Sequence, residues 1–188
     1  MRHLILGLVL LLPPALPGGL SGQEVERRNL SGEVIFDARA TLGDFSGHTR
    51  AIAGAIRLGG RLDQTRGWLE VPVRAMRTGN ASRDQEMREL LGDGGHPAIR
   101  FEITDVAVGM PDGDSIPVTV RGGFTVHGVT RTHAVSGWAW RRRGGAIRFR
   151  GQTVLRLSEF GLRRPGRLLG MLRMRDPITI RMDLTVGG

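Results

Sequence analysis

The sequence predicts an all-β protein, a closed antiparallel barrel of eight strands with one or two short helices. Three observations carry this reading. Apolar residues recur at every second position through most of the chain, the period of strands with one buried and one wetted face. The connectors are glycine-rich, at Gly59-Gly60, Asp112-Gly113 and Gly144-Gly145, as tight turns between strands require. Only Ser82–Leu91 has clear helical spacing. Closure into a barrel removes the exposed edges of an open sheet; a two-sheet sandwich is the alternative.

In chain order, residues 1–22 (MRHLILGLVLLLPPALPGGLSG) come first. Arg2 is a positive start, Leu4–Leu12 an apolar run, and Pro13, Pro14 and Pro17 with the small residues after them break any helix. That order is the plan of a secretory signal peptide, cut between Pro17 and Gln23. The run is too short to span a bilayer, which takes about 20 residues. Residues 23–188 then read as one domain, secreted to a periplasm or the extracellular space.

Within that domain Val34, Phe36 and Ala38 alternate with Ile35 and Asp37, and Leu69, Val71 and Val73 with Glu70 and Arg74. Ser82–Leu91 places Met87, Leu90 and Leu91 at i, i+3 and i+4; Ser82 with Gln85 fits a capping box and Gly92 a C-terminal left-handed residue. Asp84, Glu86 and Glu89 read as surface charges on this helix. Ile99, Phe101 and Ile103 resume the strand period, followed by Ile147, Phe149, Leu155 and Leu157, and by Ile178, Ile180, Met182 and Leu184. A second helical turn is expected at Arg167–Leu172, before Pro177 opens the last strand.

Composition narrows the function. The chain has 188 residues, 27 basic against 18 acidic, and no Cys, which excludes disulfides, thiolate metal sites and a cysteine nucleophile. Every basic residue is Arg, a mark of GC-rich codon usage more than of guanidinium chemistry. The resulting pI near 11.6 still draws the protein to anionic surfaces, membranes included. His127 and His133 flank the turn GVTRT, but no Asp or Glu lies near it to complete a metal site. No G-x-S-x-G, H-E-x-x-H or phosphate-binding glycine loop is present. Neither catalysis nor a cofactor is therefore expected, and His133 is the one polar group that a barrel enzyme would have in its pocket. Arg141–Arg143 after Trp138 and Trp140 has the composition of a single-strand nucleic-acid binder, yet Gly144-Gly145 makes it a hairpin tip and export argues against nucleic acid.

Several stretches together resemble the bacterial YceI-like family of exported lipid- or polyisoprenoid-binding proteins. They are RTGNASRDQEMRELL (Arg77–Leu91) with HPAIRF (His96–Phe101), GGFTVHGVTRTH (Gly122–His133), and the closing segment Leu157–Val186. Phe36 and the GAI at 54–56 are similar to the family's opening strands. The resemblance implies a lipocalin-like barrel carrying a long apolar ligand: an isoprenoid, an isoprenoid quinone, or a fatty acid or amide. Whether the partner is a second copy stays open between monomer and homodimer. The alternative function is an Arg-rich envelope module that binds anionic lipid or polysaccharide on its outer face.

Alternation and the resemblance together imply the ligand-facing set. It comprises Phe36, Ile56, Leu69, Val71, Phe101, Ile103, Phe124, Val126, His133, Val135, Phe149, Leu155, Phe160, Leu162, Leu169 and Ile180. For the hairpin this takes a four-residue loop at Gly128–Arg131, which puts Phe124 and Val126 on one face with His133 and Val135 and turns both Trp outward. A three-residue loop at Val129–Arg131 would flip the strand. Small inward residues, Ala38, Gly122, Gly137 and Ala139, are expected to leave the room that a ligand occupies.

Overall fold

The computed structural model describes residues 30–40, 43–162 and 174–187. The expected signal peptide, the second helical turn and Leu169 lie outside them. The strands are β1 (Leu30–Ala40), β2 (Phe45–Thr49), β3 (Ala53–Arg57), β4 (Arg66–Pro72), β5 (Ala98–Val108), β6 (Ser115–Val126), β7 (Val129–Arg141), β8 (Ile147–Arg156) and β9 (Met174–Val186). One helix, α1 (Ala81–Leu91), lies between β4 and β5. The nine strands form one antiparallel sheet in the order β2-β1-β9-β8-β7-β6-β5-β4-β3, strongly curled into a half-barrel.

This corrects the closed eight-stranded barrel in two ways. Residues 45–57 are two strands, because the Thr49 hydroxyl accepts the Ala51 N–H at 3.1 Å and diverts the backbone from the ladder. Strands β2 and β3 then lie at opposite ends of the sheet order. Phe36 pairs with Gly47 of β2, while the GAI at 54–56 pairs with β4. The free edge of β2 is taken by Arg77: His48 donates to its carbonyl at 2.8 Å and accepts from its N–H at 3.0 Å. With that edge occupied, no ladder closes β2 onto β3 among the described residues.

The β6–β7 hairpin turns over two residues, His127 and Gly128, both at positive φ (49° and 75°). That is the type I′ geometry whose twist matches the strands. The loop is shorter than the four residues expected, but the difference is even, so the faces are kept. Phe124, Val126 and Val135 are buried inward, while Trp138 is 53% exposed outside. Helix α1 begins at Ala81, since its cap is Asn80, two residues before the expected Ser82. The Asn80 side chain accepts the Arg83 N–H at 3.0 Å. Gly92 ends the helix at φ 70°, the left-handed position that a Cβ would penalise.

Inside, the half-barrel has two levels. The lower level, at the β5–β6 turn, is packed by Val118, Ala139 and Ile147 with Phe149 and Ile116. The upper level, under α1, is walled by a larger cluster that includes Leu69, Phe101, Phe124, Leu155 and Phe160.

The outer face is laced by charge pairs. Asp183 accepts two hydrogen bonds from Arg148, at 2.8 and 2.7 Å, and one from Arg150 at 2.7 Å. Arg181 grips Asp37 in the same bidentate way at 2.7 and 2.8 Å. Hydrogen bonding from Arg148 is the main cause that holds the Asp183 carboxyl at about 2, below its ordinary 3.8; burial opposes it and Arg150 adds to it. A carboxyl lowered in the folded state stabilises the fold above its unfolded value, and the contribution is lost as pH falls toward the folded one. Thermal stability should therefore drop between about pH 4 and pH 2. Asp183→Asn should be less stable at pH 7 and should lose less over that acid range. Melting curves from pH 7 to 2 check this, and parallel curves for the two proteins would contradict it.

Candidate functional site

The upper level encloses a cavity of about 580 Å³, within the roughly 300–1,000 Å³ usual for small-molecule sites. Its walls come from alternate residues of β1, β4, β5, β6, β8 and β9, and its roof from α1 through Met87, Leu90 and Leu91. On β9, Ile178 and Ile180 line this space and are half-buried, Met182 is buried and borders both this space and the one below it, and Leu184, further down, lines only the lower one.

Of the ligand-facing residues expected from the sequence, Phe36, Leu69, Val71, Phe101, Phe124, Val126, Leu155, Phe160 and Ile180 line this cavity. Ile56, Ile103, Val135 and Phe149 do not. They face inward but line a separate space of about 80 Å³ in the lower level. Alternation fixes the face of a residue and not its height along the barrel. His133 and Leu162 line neither space. His133 is wedged between the rings of Phe124 and Phe160, each 6.0 Å away. Its Nε2 is 3.2 Å from Glu159 Oε2, off the line of a hydrogen bond, so it supports the wall from behind. Leu162 is buried beside the turn Leu157–Phe160.

The expected source of the cavity is also corrected. Phenylalanine rings cover Gly122 and Gly47, and the backbone of β8 lies against Gly137. A Cβ on Gly122 would fall 2.7 Å from the Phe101 ring, and one on Gly47 2.2 Å from the Phe36 ring. Ala139 packs in the filled lower level. Of the four small residues only Ala38 borders the large cavity. The space lies between the upper walls and α1, which closes the rim with Met87, Leu90 and Leu91.

Sequence reasoning missed the contribution of α1. Met87, Leu90 and Leu91 carried a signal, since their spacing makes one apolar face. Asp84 is not a surface charge. It is buried and accepts from the Thr78 N–H at 2.8 Å and the Thr78 hydroxyl at 2.6 Å. Burial pushes its carboxyl up, but these bonds, with Arg77 and Arg88, bring it below the usual value. Asp84 thereby ties the start of α1 to the segment after β4. Glu86 lines the cavity with Arg83, Asn80 and Ser82, a polar arc on α1 and its cap; His48 and Thr49 of β2 are the other polar residues of a lining that is apolar elsewhere.

His127 lies against His96, ring centroids 4.7 Å apart, and its Nδ1 is 3.1 Å from the Leu91 carbonyl oxygen. It is not paired with His133. Among the described residues no three His, Cys, Asp or Glu side chains are grouped to hold a metal. Chemically, the site offers an apolar enclosure with a few polar groups at one rim.

The YceI-like domain family matches residues 29–186. No curated relative matches the chain. Among solved structures, a polyisoprenoid-binding domain from Saccharophagus degradans, implicated in plant cell wall breakdown, is similar with a TM-score of 0.69 at 13% identity, over 85% of this chain and 99% of that one. BcnA of Burkholderia cenocepacia is similar with a TM-score of 0.68 at 13% identity, over 82% and 96%. The Campylobacter jejuni YceI protein is similar with a TM-score of 0.58 at 14% identity, over 76% and 84%. At these identities the likeness is one of fold.

Proposed function

Since the chain belongs to the YceI-like family, we propose that it is an exported carrier that sequesters a long apolar molecule, an isoprenoid, isoprenoid quinone or fatty acid or amide, and performs no catalysis. The observation that carries this reading is the upper cavity, apolar on nearly all sides and roofed by α1. Each methylene buried there yields about 0.8 kcal/mol, so a long tail binds without specific polar contacts. The order of charge, apolar run and small residues in 1–22 supports export. The polyisoprenoid-binding description of the Saccharophagus degradans neighbour points to the same ligand class.

A second reading rests on the outer face. There Trp138 is exposed, and Arg141–Arg143 have no carboxylate partner among the described residues. Salt separates the two. Raising it from 0.1 to 1 M shortens the screening length from about 10 to about 3 Å, which weakens surface ion pairing but not burial in a cavity. A fluorescent isoprenoid or fatty-acid probe should bind equally well at both salt levels, and organic extraction of the purified protein should release an apolar compound visible by mass spectrometry. Loss of the probe at 1 M salt, with nothing extracted, would favour the outer face.

A further inference from the structure

The polar arc at the cavity rim bears on what kind of molecule is carried, and the inference drawn from it rests on the carrier reading above. Arg83 lines the cavity from the first turn of α1. A cation there opposes the helix dipole, which favours negative charge at the N-terminal end. Its position is nevertheless fixed from two sides. Nε donates to the Thr78 hydroxyl at 3.0 Å and Nη2 to the Thr78 carbonyl at 3.3 Å. The guanidinium lies 4.3 Å from the centre of the Phe45 ring, itself a cavity residue.

A guanidinium has five N–H donors, and Thr78 engages Nε and Nη2, leaving Nη1 to other partners. No carboxylate pairs with Arg83 among the described residues. Asp84, its neighbour in sequence, is committed to Thr78. The result is a held, part-buried cation beside an apolar space, with donors to spare. Such a group suits an oxygen anion at the head of a chain whose tail lies inside.

Glu86 limits which anion. It lines the same cavity one turn further along α1 and has no hydrogen-bond or ion-pair partner among the described residues. A head with several negative charges would bring a second negative charge toward this part-buried carboxylate, and like charges repel. A singly charged head can meet Arg83 and leave Glu86 to solvent. We propose that Arg83 and Glu86 select a single-chain amphiphile bearing one carboxylate, its tail in the cavity and its carboxylate on Arg83.

Three probes with one tail and different heads test this: geranylgeranoic acid, geranylgeraniol and geranylgeranyl diphosphate, titrated calorimetrically into the full-length protein at pH 7. Wild-type protein should bind the acid at least about tenfold more tightly than the alcohol. Arg83→Gln should abolish the preference, so that this variant binds acid and alcohol with equal affinity. Glu86→Gln should strengthen binding of the diphosphate. Equal affinity of wild-type protein for acid and alcohol overturns the proposal without any variant. So does an acid preference that survives in folded Arg83→Gln, or a diphosphate that outbinds the acid in wild type. Binding of none of the three overturns the carrier reading itself, and this inference with it.

Discussion

Phe101→Ala should destabilise the protein by about 3–5 kcal/mol, the range for removing a buried aromatic ring. The residue is 2% exposed, and its ring centroid is 4.4 Å from that of Phe124 on the paired strand. It also covers the bare backbone of Gly122, so truncation leaves two surfaces uncovered. The same ring borders both the 580 Å³ upper cavity and the 80 Å³ lower one. Leu69 and Met182 also border both, so truncating Phe101 should thin the partition between the two spaces. The variant should therefore unfold at lower urea concentration and, where it remains folded, should favour longer-tailed probes over the ones that suit wild type. A cost below about 1 kcal/mol would mean that Phe101 is not the partition between the levels.

Gly137→Val should be at least as damaging. Gly137 of β7 pairs directly with Gly151 of β8. A Cβ at 137 would sit 1.9 Å from the Arg150 carbonyl oxygen and 2.5 Å from the Gly151 Cα. Both are backbone atoms within a ladder, so neither can swing aside as a side-chain tip would. Ordinary overpacking costs about 1–3 kcal/mol; here strands β7 and β8 must separate, and the cost should exceed that range. Against a total stability of about 5–15 kcal/mol, much of the protein should be unfolded at 37 °C. A thermal melt checks this, and a transition within a few degrees of wild type would mean that β7 and β8 are not in this register. A Gly151→Ala variant makes a useful contrast, because there the Cβ meets the Phe149 ring at 2.3 Å, a side chain with some freedom to move.

The β architecture was legible because alternation is a local property. The faces of β6 and β7 follow from Phe124, Val126 and Val135 even though the turn between them has two residues and not four. The count of strands was not legible. Phe45–Thr49 and Ala53–Arg57 (FSGHT and AGAIR) contain Gly, Ala, His and Thr where a strand usually shows bulk, and the break between them depends on one Thr49 hydroxyl. At the cavity, alternation sets which face a residue takes but not its height along the barrel. Val135 and Phe149 face inward as surely as Phe124 and Leu155, but which of them meet empty space depends on where α1 crosses the rim. The Phe101 ring over Gly122, the contact of His96 with His127 and the commitment of Asp84 to Thr78 are products of tertiary structure. No spacing rule places those partners together.

The position of β9 has a consequence for how the chain assembles. The last strand in the sequence lies between the first, β1, and β8, so that Leu30 faces Val186. Strands β5 to β8 form a local meander that can zip as soon as it is made, but β1 and β2 have no place in the sheet until β9 arrives. Such non-local pairings are the slow part of β-sheet folding, on the millisecond-to-second scale. The cavity wall draws on β1 and β9 as well as on the meander, so there is no compartment to fill before that last joining. A molecule held there touches the earliest and the latest segments at once and acts as a non-covalent clasp across the final folding step. A ligand bound there would therefore be linked to the native structure by mass action, and its binding would also hold β1 and β9 together.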